Sequence, residues 1–88
     1  MPNYHLEISN HAERILVRMA EREHALYEHI VHVFDELRLD PFLGKPLTGE
    51  LKGRYSYRIG NYRILYRIQH DRLIIIIIDI GHRRDIYR

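Results

Sequence analysis

The chain has 88 residues, 45% of them hydrophobic and 30% charged, with no cysteine. That balance fits one folded domain, residues 1–88, with a single modest core; it excludes a disordered chain, disulfides and thiolate metal sites. The net charge of +2 hides an asymmetry, since residues 1–44 hold 4 Lys/Arg against 8 Asp/Glu and residues 45–88 hold 10 against 4.

The opening stretch, MPNYHLEISN, has no charged region followed by an apolar run, so no secretory signal is expected. The longest apolar run, residues 73–78, is too short to span a bilayer. The protein is therefore expected in the cytoplasm, with no membrane partner. Tyr4, Leu6 and Ile8 alternate with Asn3, His5 and Glu7, the period of a half-buried strand. Ser9 or Asn10 can cap a helix behind it. Ala12, Ile15, Leu16 and Met19 form one apolar stripe, and Leu26, Ile30, Val33, Phe34 and Leu37 form a second. Glu21-Arg22-Glu23 marks a break between them. Asp40-Pro41 ends the second helix, because proline disfavours a helical residue before it. Residues 10–38 thus read as a helical hairpin or one kinked helix.

Residues 41–53, PFLGKPLTGELKG, read as a loop carrying Lys45 and Lys52. Two alternating runs follow, Arg54–Ile59 and residues 62–68, with Gly60-Asn61 between them, a tight hairpin signal. Asp71-Arg72 is the next turn. Residues 73–80 are almost wholly apolar, as in a central strand covered on both faces or nearly so. A basic tail, GHRRDIYR, closes the chain. The order predicts an α+β fold. An N-terminal strand and a helical hairpin precede a three-stranded antiparallel meander, and one mostly antiparallel sheet of three or four strands packs against the two helices.

A two-residue turn fixes the hairpin register. Tyr57 then faces Ile64 and Tyr55 faces Tyr66, all on one side with Ile59, Tyr62 and Ile68. The other side sets Arg58 against Arg63 and Arg54 against Arg67, with Ser56 against Leu65 between them. Like charges directly across a strand pair are destabilising. An anionic ligand would relieve the repulsion, and guanidinium forks match phosphate geometry. With the basic loop and tail, this predicts a polyanion partner. The alternative is a solvated sheet face on which arginine stems cover apolar surface. The tyrosines are expected in the core rather than as base-stacking platforms. His24, His29 and His32 are expected on a solvent face rather than as a metal site, and no cofactor is called for.

The block GELKGRYSYRIGNYRILYRI, the apolar strand after it and IGHRRDIYR resemble the RelE/ParE superfamily of toxin–antitoxin toxins, on the RelE-like side, over essentially the whole chain. The resemblance implies a ribosome-dependent endoribonuclease that cuts mRNA in the decoding site and is neutralised by a cognate antitoxin protein. It places Arg63 on the scissile phosphate, Arg58 on the preceding strand beside it, and Arg83 and Tyr87 in the tail. Some relatives carry a lysine where this chain has Ser56, which weakens any mechanism needing an amine at that position. RNA supplies its own nucleophile, the 2′-hydroxyl, so the protein must supply a proton acceptor, charge stabilisation and help for the leaving oxygen, without need of a metal. Arginine, with a pKa above about 12, is a poor proton shuttle. Arg58 and Arg63 are therefore assigned to transition-state stabilisation and Arg83 to the leaving side. The shuttle is Tyr87 by family likeness or His82 by intrinsic chemistry. Lys45, Lys52, Arg54, Arg67 and Arg84 would bind RNA. A ParE-like toxin that binds DNA gyrase, and a non-catalytic relative that binds nucleic acid or antitoxin, are the rival readings.

Overall fold

The computed structural model describes residues 3–82. Their order is β1 (His5–Ile8), α1 (Asn10–Arg22), α2 (His24–Leu39), β2 (Lys45–Pro46), β3 (Arg54–Ile59), β4 (Tyr62–Gln69) and β5 (Ile74–His82), with single 3-10 turns at Pro41–Leu43 and Gly49–Leu51. The five strands form one mixed sheet in the order β1-β5-β4-β3-β2. β3, β4 and β5 are the antiparallel meander, while β1 runs parallel to β5 with His5 beside Ile74 and Ile8 beside Ile77.

Local chemistry sets the boundaries. Ser9 is the N-cap of α1: its Oγ accepts from the Ala12 N–H at 3.1 Å and donates to the Ile78 carbonyl at 2.9 Å. One side chain thus starts the helix and ties it to β5. Glu23 alone separates the helices, at the break that the polar run 21–23 announces. α2 stops at Leu39 with Asp40 in an extended conformation, as the following proline demands. Gly60 has φ +55°, and its place as the first residue of the two-residue turn is that of a type II′ hairpin.

The core lies between the helices and one face of the sheet. Ala12, Leu16 and Met19 of α1 and Ile30, Val33, Phe34 and Leu37 of α2 meet Ile59, Ile64, Tyr66, Ile75, Ile77 and Ile80. Tyr55, Tyr57 and Tyr62 pack against the same cluster, so the hairpin tyrosines belong to the core face.

Three details differ from the sequence reading. The loop 41–53 contains a two-residue edge strand, giving the sheet a fifth member. The last strand runs Ile74–His82 rather than 73–80: Leu73 has φ +54° in the turn, and Gly81 and His82 extend the strand. Nor is that strand covered on both faces among the described residues. Ile75, Ile77 and Ile80 are buried, but Ile74, Ile76 and Ile78 are half-buried, on the side away from the helices. A bulge explains the odd spacing: Leu65 faces Asp79 and Tyr66 faces Ile77, leaving Ile78 unpaired.

Candidate active site

The hairpin register places the arginines as the turn chemistry predicts. Arg58 pairs with Arg63, Ser56 with Leu65 and Arg54 with Arg67. All six lie on the sheet face opposite the helices. Leu65 is buried yet stands outside the main core cluster, as expected where arginine stems cover a leucine from above. The two arginine pairs are four residues apart along each strand, about 13 Å.

β2 adds a third cation. Lys45 pairs with Ser56, so both side chains rise from the same face of neighbouring strands. A shallow cleft of about 420 Å³ is lined by Leu43, Lys45, Ser56, Tyr57, Arg58 and Arg63. Within it the Arg63 Nη1 donates to the Ser56 Oγ at 3.2 Å, and Ser56 is only 3% exposed. Arg58 Nε reaches back to the Gly60 carbonyl at 3.4 Å. Among the described residues no carboxylate lines the cleft. The arrangement is a guanidinium held on a serine, a second guanidinium over the turn and an amine on the edge strand, a set whose charge and fork geometry suit an anion.

The edge strand is held from beneath. Tyr66 is fully buried, and its Oη donates to the Pro41 carbonyl at 2.7 Å and accepts from the Gly44 N–H at 2.9 Å. Burial pushes this phenol up to about 12, with the Gly44 N–H acting in the opposite direction. Gly44 is obligatory for a steric reason: a Cβ there would collide with the Tyr66 hydroxyl and come within 2.9 Å of its Cε1. Lys45 is the next residue, so a buried phenol under the sheet fixes a cation on top of it.

The structure brings Lys45, Arg58 and Arg63 together. Arg54 and Arg67 extend the same face toward the other end of the hairpin, and Lys52 sits exposed in the turn before β3, outside the cleft lining. His82 is elsewhere. It pairs with Tyr62, whose ring lies 5.8 Å from its imidazole in an edge arrangement, on the helix side of the sheet. Tyr62 in turn reaches Glu23 at the helix break at 3.5 Å, and its pKa is raised by burial first and by the Glu23 charge second. Arg83, Arg84 and Tyr87 lie outside the described residues. Of the helix histidines, His24 and His32 are exposed and pair with Glu28 and Glu36, and among the described residues no group of three or more His, Cys, Asp or Glu is placed to hold a metal ion. No helix among the described residues is long and apolar enough to cross a membrane. Sequence reading missed two members of the cleft's structure, the strand pairing of Lys45 and the anchoring of Arg63 on Ser56. Only the strand register reveals either.

Residues 6–87 match the family model described as ParE toxin of type II toxin-antitoxin system, parDE. Over 86 residues the chain is 37% identical to Toxin RelG of Mycobacterium tuberculosis, covering 97% of both chains. It is 38% identical to Toxin RelE of the same organism over 86 residues, 97% of this chain and 87% of that one. Among solved structures it is similar to the toxin–antitoxin complex RelBE2 of Mycobacterium tuberculosis, at 34% identity and a TM-score of 0.79, over 92% of this chain and 99% of that one. Fold, hairpin motif and whole-length likeness agree that this chain belongs to the RelE/ParE superfamily of type II toxin–antitoxin toxins.

Proposed function

We propose that the chain is the endoribonuclease kind of toxin, cutting mRNA on the ribosome by attack of the ribose 2′-hydroxyl on its own phosphodiester. The observation that carries the reading is the cleft on the sheet face away from the helices, where three cations from three strands meet with no carboxylate among the described residues that line it. A phosphodiester transition state gains negative charge on its non-bridging oxygens, and preorganised guanidiniums stabilise charge that develops there. Arg63, anchored on Ser56, holds the scissile phosphate, and Arg58 flanks it. Arg54 and Arg67, about 13 Å along the hairpin, hold the neighbouring backbone with Lys52. In the tail, Arg83 and Arg84 would add charge and Tyr87 would act on the leaving oxygen. His82, on the far side of the sheet, contributes through Tyr62 and the fold rather than through the substrate.

The partner we assign is a cognate antitoxin protein, as in the related RelBE2 complex. The second reading, gyrase inhibition, is favoured by the match of residues 6–87 to the ParE toxin family. It uses the fold but does not call for a cleft lined by three cations. The test adds purified protein to translating ribosomes with a defined mRNA and maps new RNA ends, beside the Arg63→Ala variant. Cuts confined to the decoding site and lost in the variant support the ribonuclease. Uncut mRNA together with inhibited gyrase supercoiling selects the second reading.

A further inference from the structure

The cleft contains its own candidate for the hardest proton transfer, and it is not in the tail. Attack by the 2′-oxygen requires a base beside the scissile phosphate. The cleft is lined by Leu43, Lys45, Ser56, Tyr57, Arg58 and Arg63. Guanidiniums stay protonated in water. The Ser56 hydroxyl is no stronger a base than the ribose hydroxyl and already accepts from Arg63. The Tyr57 side chain packs toward the core. Lysine alone among these side chains exists both as cation and as neutral amine in water.

Lys45 is also well placed. Its pairing with Ser56 sets the two Cβ atoms on one face about 5 Å apart, and Ser56 holds the guanidinium assigned to the phosphate. The side chain is exposed, with neither a hydrogen bond nor an ion pair to any described residue. Its backbone is fixed by the preceding Gly44, whose N–H is held by the buried Tyr66 phenol. A flexible side chain on a pinned strand suits a group that must meet a substrate hydroxyl.

We infer that Lys45 is a catalytic residue, the base that deprotonates the 2′-hydroxyl; the inference rests on the ribonuclease reading above. The neutral Nζ takes the 2′-hydroxyl proton as the 2′-oxygen bonds to phosphorus and the bond from phosphorus to the 5′-oxygen breaks. The 5′-oxygen leaves with a proton from water or a tail acid. The products are a 2′,3′-cyclic phosphate and a 5′-hydroxyl, and the lysine returns its proton to solvent.

Lys45→Arg separates base from mere cation, because it keeps the charge and loses the neutral form. Single-turnover cleavage on programmed ribosomes is measured for wild type, Lys45→Arg, Lys45→Ala and Arg63→Ala across about pH 6–9. The expected result is a wild-type rate that rises with pH, and a loss of about 10²–10⁴-fold in both Lys45 variants, each without that rise. Thermal melts of both variants should match wild type, since the side chain is exposed. Lys45→Arg cleaving at the wild-type rate with the wild-type pH profile overturns the inference while leaving the ribonuclease intact. Wild-type protein that fails to cleave overturns the ribonuclease reading, and the base assignment with it.

Discussion

Replacing Tyr66 with Phe removes one oxygen and tests whether the site is held up from inside the fold. The ring is fully buried, so the variant keeps its packing. What it loses are two hydrogen bonds, 2.7 Å to the Pro41 carbonyl and 2.9 Å from the Gly44 N–H. Each backbone group is left in a dry site at about 1–2 kcal/mol, or roughly 2–4 kcal/mol together. A chain of this length has a total stability of about 4–13 kcal/mol. The melting temperature should therefore fall by roughly 10–25 °C. The pH dependence gives a second signature. Burial holds the folded-state phenol at about 12, while the unfolded chain releases its proton near pH 10. The stabilisation is complete below about pH 10 and is lost as pH rises through about 12, so the gap between wild type and variant should narrow over that window. Urea unfolding of both proteins at a series of pH values measures it. A gap under about 0.5 kcal/mol at neutral pH, or one unchanged up to pH 12, refutes the account of the buried phenol.

Gly44→Ala attacks the same contact from the other side. Its methyl would strike the Tyr66 phenol, so the melt should show a loss of about 1–3 kcal/mol. Ser9→Ala removes both the cap on Ala12 and the bond to Ile78, and chemical denaturation should show a loss of about 1–2 kcal/mol. Arg67→Glu turns a like-charge pair with Arg54 into an opposite one. Stability should rise by about 0.2–1 kcal/mol while cleavage falls. A rise in stability with undiminished cleavage would mean that this pair serves no substrate. Arg63→Ala should lower single-turnover cleavage by about 10²–10³-fold with little change in far-ultraviolet dichroism.

The hairpin was legible because its turn is. Gly60-Asn61 admits a two-residue connection, and that fixes every facing pair from Arg54–Arg67 to Ile59–Tyr62. The helices were legible through their apolar stripes and through Ser9, Glu23 and Asp40 at their ends. β2 was not. Two residues show no alternation, one of them is proline, and the strand depends on a buried Tyr66 that is distant in sequence. The faces of β5 were hidden for a different reason: a run of isoleucines gives no polar contrast, so the bulge at Ile78 leaves no trace in the pattern. That bulge and the extension of the strand through His82 decide which side the imidazole takes, and hence why a histidine next to the basic tail lies away from the arginines. The missing amine at Ser56 could be noticed in the sequence. Lys45 was legible as a basic loop residue that would bind RNA, but its place beside Ser56 on the next strand could not be recognised before the register was known.

The chemistry of the cut ends tests the central claim most directly. A 2′-hydroxyl attack stabilised by cations leaves a 2′,3′-cyclic phosphate, or the 3′-phosphate from its opening, and a 5′-hydroxyl. Messenger RNA cut by the protein on the ribosome can be recovered and its ends assayed by ligation and phosphatase dependence, with Arg63→Ala as control. The account predicts a cyclic or 3′-phosphate facing a 5′-hydroxyl, in fragments that vanish with Arg63. Fragments with a 3′-hydroxyl and a 5′-phosphate, or fragments that persist in the variant, would contradict it.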